Sequence, residues 1–432
     1  MSSLTAQTAM DAALDTLERG QTAPAAGWLA ELRSAGRTKF AAEGLPSPKM
    51  EAWRGTNVTP LAGMAFVAAT PGEASTHTLA NLKLGGPRFV FSAGQLIASE
   101  GTAPDGLWAG TFADAIEKFG DRMAEWVTGE ETEFGAFEAL NRAFLAHGAV
   151  VVVEAGASID VPVEIVYSLA NQAAAAIQQP RTLIVAAENS RASVVEVFIG
   201  EGDTPTLTNA VSRAVIGENA SVEHARVQFE GPAAWHVSTT TSRQARSSHY
   251  TAHHINLGAR LARHNTRAVL GGEGANCLLN GLYLASGEQH VDNDTVLDHA
   301  EPHCDSRELF KGILADKARS VFTGRIIVRE DAQKTDAKQS NPNLLLSPNA
   351  LAQTRPQLEI YADDVKCTHG ATVGQMDEDA IFYLRARGLS ETAARNMLVH
   401  AVAGEVLDAI NIEPLREALE TEVNLRLDSL ED

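Results

Sequence analysis

The spacing of apolar residues changes twice along this chain, and the changes divide it into three regions. From residue 1 to about 147 the reading is mixed and mostly helical. "SSLTAQTAMDAALDTLERG" places Leu4, Met10, Leu14 and Leu17 at helical intervals. "GWLAELRSAGRTKFAAEGLP" continues in that style until Pro46 and Pro48 stop it. "PRFVFSAGQLIA" reads as a short hairpin, and "FADAIEKFGDRMAEWV" and "EFGAFEALNRAFLAH" as further helices.

At Gly148 the texture switches to short β-branched runs broken by Gly, Ala, Ser and Asp. "GAVVVVEAGASIDVPVEIVYSL" is followed by a recurring phrase: "ENSRASVVEVFI", "GENASVEHARVQF", "GEGANCLLNGLYL", "DKARSVFTGRIIV". Each is a polar or small-residue turn, an Ala, then a short apolar-alternating strand. Strand follows strand to about residue 375 with no helix-length pattern between. The Ala of the "ASI" and two "ASV" phrases falls at 157, 192 and 220. That irregular spacing suits a β-solenoid with loops of different length better than a propeller. A sandwich or jelly roll competes on pattern alone.

From residue 376 to 432 the period returns to 3.6. Three helices are expected: "DEDAIFYLRARGL", then "SETAARNMLVHAVAGEVLDAI" with Ser390 as N-cap, then "PLREALETEVNLRLDSLED" with Pro414 in its first turn. Leu415, Leu419, Val423, Leu427 and Leu430 share one face of the last. This tail holds 5 Lys and Arg against 13 Asp and Glu, so its outer face is acidic. Ordinary packing is the plain reading of such an appendage, and a docking surface for a partner is the functional one.

Composition narrows the function. The chain has 432 residues, 44% of them hydrophobic and 6% aromatic, enough for a large core of small aliphatic layers. Its 35 Lys and Arg against 55 Asp and Glu give a net charge of −20. That argues against binding nucleic acid or an anionic membrane surface. The longest apolar run, "GAVVVV", is too short to span a bilayer, and the first residues do not read as a signal peptide. Three cysteines without close spacing exclude a disulfide framework and fit a reducing cytoplasm.

Candidate chemistry is sparse. There is no P-loop, G-x-S-x-G, H-E-x-x-H or C-x-x-C. "GGEGAN" is read as a turn among strands. In "HHINLGARLARHN", adjacent His253 and His254 fall on opposite faces of a strand. "DHAEPHCDSRE" carries His299, His303 and Cys304, residue types that bind iron or zinc, although a polar turn explains them as well. In "REDAQKTDAKQSNPNLLLS", Gln333, Lys334, Asp336, Gln339, Asn341 and Asn343 can satisfy turns, the favoured reading, or line a cavity. A carbohydrate-active β-helix enzyme stays open as a rival, with few aromatic platforms for sugars. A purely structural solenoid is the third reading.

"YADDVKCTHGATVG" holds the pair of most interest, Cys367 and His369. On a strand both project from one face, about 6.6–7 Å apart. Thiolate and imidazole suit iron and iron–sulfur centres. Two ligands do not hold a cluster, so by itself the pair reads as a thiol beside an incidental histidine, or as part of a site shared with another chain.

"SVFTGRIIVREDAQKTDAKQSNPNLLLS", "PQLEIYADDVKCTHGATVGQMDEDAIFYLRARGL" and the helix after them resemble the SufD family of iron–sulfur cluster assembly proteins. "GLPSPKMEAWRGTNVTPL" resembles the family's N-terminal Pro…Glu-Ala-Trp signature. The resemblance spans nearly the whole chain and is most specific between about 310 and 410. It implies a right-handed parallel β-helix flanked by N- and C-terminal helical regions. It implies a non-enzymatic cytoplasmic subunit, paired through its β-helix end with the paralogous scaffold SufB. The ATPase SufC, which would supply the missing P-loop, would dock on the C-terminal helices. It further implies a transient iron–sulfur cluster in the complex, none bound by the isolated chain, and a reduced flavin for which no motif is visible. A homodimer of the isolated chain is also compatible with it. The family's interface ligand matches His369 and its neighbouring cysteine Cys367. SufB is the near alternative, but it is richer in cysteine, and Gly370, Thr372 and Gly374 after the histidine follow the SufD style.

Overall fold

A parallel β-solenoid of about eight turns forms the body of the protein, with helices at both ends of the chain, in a computed structural model that describes residues 27–128 and 135–429. The expected helix before residue 20 and Leu430 lie outside the described residues.

Two long sheets face one another. An 11-stranded sheet ends on Leu351–Ile360, and a 10-stranded sheet ends on Lys366–Gln375. Successive turns stack in register. In the second sheet Ser221 pairs with His249, His249 with Asn276, Asn276 with Asp305, Asp305 with Asp336 and Asp336 with Lys366. The unequal steps between these numbers are the variable loops that the drifting Ala positions foretold. Inward columns of small and aliphatic residues form one continuous core that includes Val194, Val222, Leu279, Leu297 and Phe322.

The repeated phrase is a corner. Asn189, Asn219, Ser247, Gly274, His303 and Lys334 all have positive φ. Asn, Gly and short polar residues tolerate that conformation best. Each donates its N–H to the carbonyl of the corner one turn on, Asn189 to Glu218 at 2.8 Å and His303 to Gln333 at 2.9 Å. The next residue tucks inward and must be small: Ser190, Ala220, Ser248, Ala275, Cys304 and Thr335 are all buried.

Helices cover the outer faces. Helix α1 (Gly27–Glu43) runs against α4 (Ala136–Ala143), which lies on the first sheet. Gly36 permits the approach, since a Cβ there would stand 2.6 Å from Ala139 O. Between them in sequence come the hairpin Arg88–Ser92 and Gln95–Glu100, α2 (Phe112–Phe119) and α3 (Arg122–Thr128). The hairpin joins the edge of the second sheet, and Leu107–Thr111 that of the first. At the other end α5 (Glu378–Arg385), α6 (Glu391–Leu407) and α7 (Glu413–Ser429) follow the last strand. Ser390 caps α6 through the Ala393 N–H, and Leu415, Leu419, Val423 and Leu427 are buried. With Val399, Ala403 and Val406 they pack on Val197, Val227, Ile255 and Ile313 of the second sheet's outer face.

Candidate functional site

The last rung of the solenoid is open. Lys366–Gln375 pairs only with Asp336–Leu345, and Leu351–Ile360 only with Arg319–Val328, so each leaves one edge without a partner strand among the described residues. Leu351, Ile360, Tyr361 and Val373 are exposed there. Unpaired edges with apolar side chains are surfaces that proteins ordinarily cover.

Cys367 and His369 both lie on this rung, on the face that points inward. Cys367 is in register with Ala337 and His369 with Gln339, both buried interior residues. Cys367 is half-buried against the core, and His369 is exposed. Partial burial pushes the Cys367 thiol up, and Asp336 adds to this against a hydrogen bond from the Ala337 backbone.

The remaining candidates separate from this pair. His303 and Cys304 are the left-handed and tucked residues of a corner. His299 is buried and hydrogen-bonds Ser306 at 2.9 Å. Cys277 is buried in the same inward column as Cys367, with Ser306 and Ala337 between. All three cysteines are free. His254 points inward toward Thr266, and His253 outward to Glu223 at 3.2 Å, the opposite faces expected. No group of three or more His, Cys, Asp or Glu able to hold a metal exists among the described residues.

The polar stretch before the site corrects the turn reading. Gln333 and Lys334 do form the corner, but Asp336–Leu345 is a strand. Gln339, Asn341 and Asn343 line the solenoid interior directly behind the open rung. Asn341 Nδ2 donates to Phe310 O at 2.8 Å and to Tyr283 Oη at 3.1 Å. Tyr283 Oη donates to Asn343 Oδ1 at 2.6 Å, and Gln339 Nε2 to Glu308 Oε2 at 2.7 Å. Alternation of Gln, Asn and Asn at every second position was the available signal for a strand with a polar inner face.

Fold and site together define a class: a parallel β-solenoid scaffold with helical appendages and an uncovered last rung carrying a thiol and an imidazole. A family model described as the SUF system FeS cluster assembly, SufBD core domain, matches residues 168–402. A SufBD family iron–sulfur cluster assembly protein of Synechocystis is 32% identical over 400 residues, covering 88% of this chain and 87% of that protein. The iron–sulfur cluster assembly protein SufD of Escherichia coli is 39% identical over 241 residues, covering 56% of this chain and 57% of its own. A chloroplastic protein of Arabidopsis thaliana, ABCI7, is 30% identical over 323 residues, 73% of this chain and 67% of that one. The chain belongs to the SufBD family of iron–sulfur cluster assembly proteins, and the similarity to SufD supports the SufD resemblance seen in its motifs. No helix among the described residues is long and apolar enough to cross a membrane.

Proposed function

We propose that this protein is the SufD-type subunit of a cytoplasmic complex with the scaffold SufB and the ATPase SufC, and that a nascent cluster or its iron is handled where its last rung meets SufB. The observation that carries this reading is the position of Cys367 and His369. They share the inward face of a strand whose outer edge is unpaired. Two donors do not complete a cluster site. A second solenoid continuing the stack would both cover the apolar edge and bring the missing ligands.

The C-terminal helices take the second role. Their buried face is used up on the solenoid, while Phe382, Tyr383, Met397 and Leu425 remain exposed. Exposed aromatics beside acidic groups such as Glu378, Asp379 and Glu391 suit a docking surface for the ATPase. ATP binding would draw the docked helices together and open the junction of the solenoids. Cys367 and His369 would then be accessible to iron. In this reading the chain itself performs no catalysis.

The test is His369→Ala in the co-purified complex under anaerobic reconstitution with iron and sulfide. Cluster formation falls if His369 is a ligand, and undiminished formation removes that role. Deleting the chain after Ser390 abolishes co-purification with the ATPase if the helices dock it.

A further inference from the structure

His369 is the outermost member of an inward column whose next two members are polar and buried. Gln339 is in register with His369, and Glu308 with Gln339. Gln339 Nε2 donates to Glu308 Oε2 at 2.7 Å. That bond orients the amide: its nitrogen is committed to the carboxyl and its oxygen is left over. Gln339 Oε1 is buried and has no hydrogen-bond partner. The side chain itself is 3% exposed.

The opposite sheet makes room for this amide. A Cβ at Gly324 would lie 2.3 Å from Gln339 Nε2. Any other residue there would displace the glutamine, so the orientation is built by both sheets. Gln339 Oε1 is one of several buried acceptors without a protein donor in this chain, and it is the one that belongs to the residue in register with His369.

We propose that Gln339 is a positioning residue for His369. Its Oε1 accepts the N–H of one ring nitrogen, Glu308 holds the amide in place, and the other ring nitrogen presents its lone pair to iron beyond the rung. Neighbouring residues in register stand about 4.8 Å apart, within reach of one side-chain hydrogen bond. In the free chain the His369 ring is exposed. Rotation of its side-chain torsions brings an N–H over Oε1 once a partner covers the rung and removes competing water. Histidines that ligate metals commonly donate their second N–H to a carbonyl or carboxylate, which fixes tautomer and ring orientation. The inference rests on the reading of His369 as a ligand.

The test is a double-mutant cycle in the co-purified complex, scored by cluster formation during anaerobic reconstitution with ferrous iron and sulfide. Gln339→Leu lowers formation by about tenfold or more, the scale on which such outer partners act. Gln339→Glu combined with Glu308→Gln, which exchanges the two groups and so keeps both the bond between them and an acceptor toward His369, restores it. In a His369→Ala background Gln339→Leu adds nothing. Gln339→Met, of similar length and without an acceptor, replaces Gln339→Leu if that variant unfolds or fails to assemble. An equal loss in the wild-type and His369→Ala backgrounds overturns the inference, because Gln339 then acts independently of His369. So does a wild-type level in the leucine or methionine variant. If His369→Ala alone has no effect, the ligand reading fails instead.

Discussion

Cys367 stands in register with Ala337, whose buried methyl is the side chain directly beneath it on the inward column. So small a floor lets the thiol sink half-way into the core, and that burial raises its pKa. The other two thiols are more deeply placed. Burial pushes Cys304 up to about 11 and Cys277 well above the ordinary thiol range. Only the thiolate reacts, so a raised pKa slows each thiol in proportion to its smaller thiolate fraction at fixed pH. Iodoacetamide at pH 8 should therefore label Cys367 first in the native chain, more slowly than a free thiol. Cys304 and Cys277 should label only as the solenoid unfolds. Peptide mass spectrometry over a time course checks the order, and early labelling of Cys277 would contradict the packing. Assembly with a partner over the last rung should protect Cys367.

Two glutamates inside the solenoid titrate in opposite directions. Glu196 accepts from Thr182 at 2.6 Å, Ser212 at 2.7 Å and His224 at 2.7 Å, with Arg226 at 3.4 Å. Burial alone would raise its pKa, but these donors and charges hold it down to about 2. Glu308 has far less help, only side-chain hydrogen bonding and no cation, and burial, with Asp294 adding to it, pushes it up to about 7. Its folded pKa exceeds the unfolded value near 4.5, so the folded chain binds the proton more tightly. The stability this contributes is complete below about pH 4.5 and is lost as pH rises through 7. The loss is roughly 3 kcal/mol, at about 1.36 kcal/mol for each tenfold difference in proton affinity between the folded and unfolded chain. Glu308→Gln should flatten the fall in denaturation midpoint between about pH 5 and pH 8, gaining on the wild type toward the alkaline end. Parallel curves would show that Glu308 does not titrate there.

Replacing Glu196 should have the larger structural effect. Its folded pKa is depressed, so its stabilisation is present above about pH 4.5 and disappears as pH falls toward 2. Glu196→Ala leaves the Arg226 guanidinium, 3% exposed, without its carboxylate. Breaking a buried pair from one side costs about 3–5 kcal/mol. Urea unfolding at pH 7 should show a loss of that order. The loss should shrink at pH 3, where the wild type has begun to lose the same contribution.

The outline of this fold was legible because its signals are local. A left-handed corner followed by a tucked small residue leaves a phrase such as "ENA" or "GEGA" in the sequence. The same rule explains what the histidine and cysteine of "EPHC" are: His303 takes the corner and Cys304 the tucked position that Ala220 takes elsewhere. Same-face placement of Cys367 and His369 followed from the two-residue period. The polar interior was not legible. Gln339, Asn341 and Asn343 are buried only because each finds partners one or two turns away in sequence, as Asn341 does with Tyr283 and Phe310. Such pairings depend on register between turns, which a single sequence does not display. The change of period at residue 376 marks the Cys367 strand as the last, but does not show that its outer edge is left unpaired among the described residues, and that open edge is what makes Cys367 and His369 differ from the column behind them.

The C-terminal helices should detach as a unit when one apolar anchor is cut. Leu419 is completely buried between α7 and the second sheet's outer face. Leu419→Ala removes several buried carbons and leaves a cavity, at a cost of about 2–5 kcal/mol. Polar ties add to this anchor. Lys311, itself 6% exposed, pairs with Glu405, and the Asn411 N–H donates to Glu223 at 2.9 Å. Glu405→Ala leaves the buried Lys311 ammonium without its carboxylate and should cost more than the ~1 kcal/mol of a fully exposed pair. Amide hydrogen exchange separates the two cases. In Leu419→Ala the amides of α6 and α7 lose protection together, while those of the strands between Arg191 and Val328 keep theirs. Uniform loss across helices and solenoid would mean that the helices are part of one cooperative unit with the scaffold.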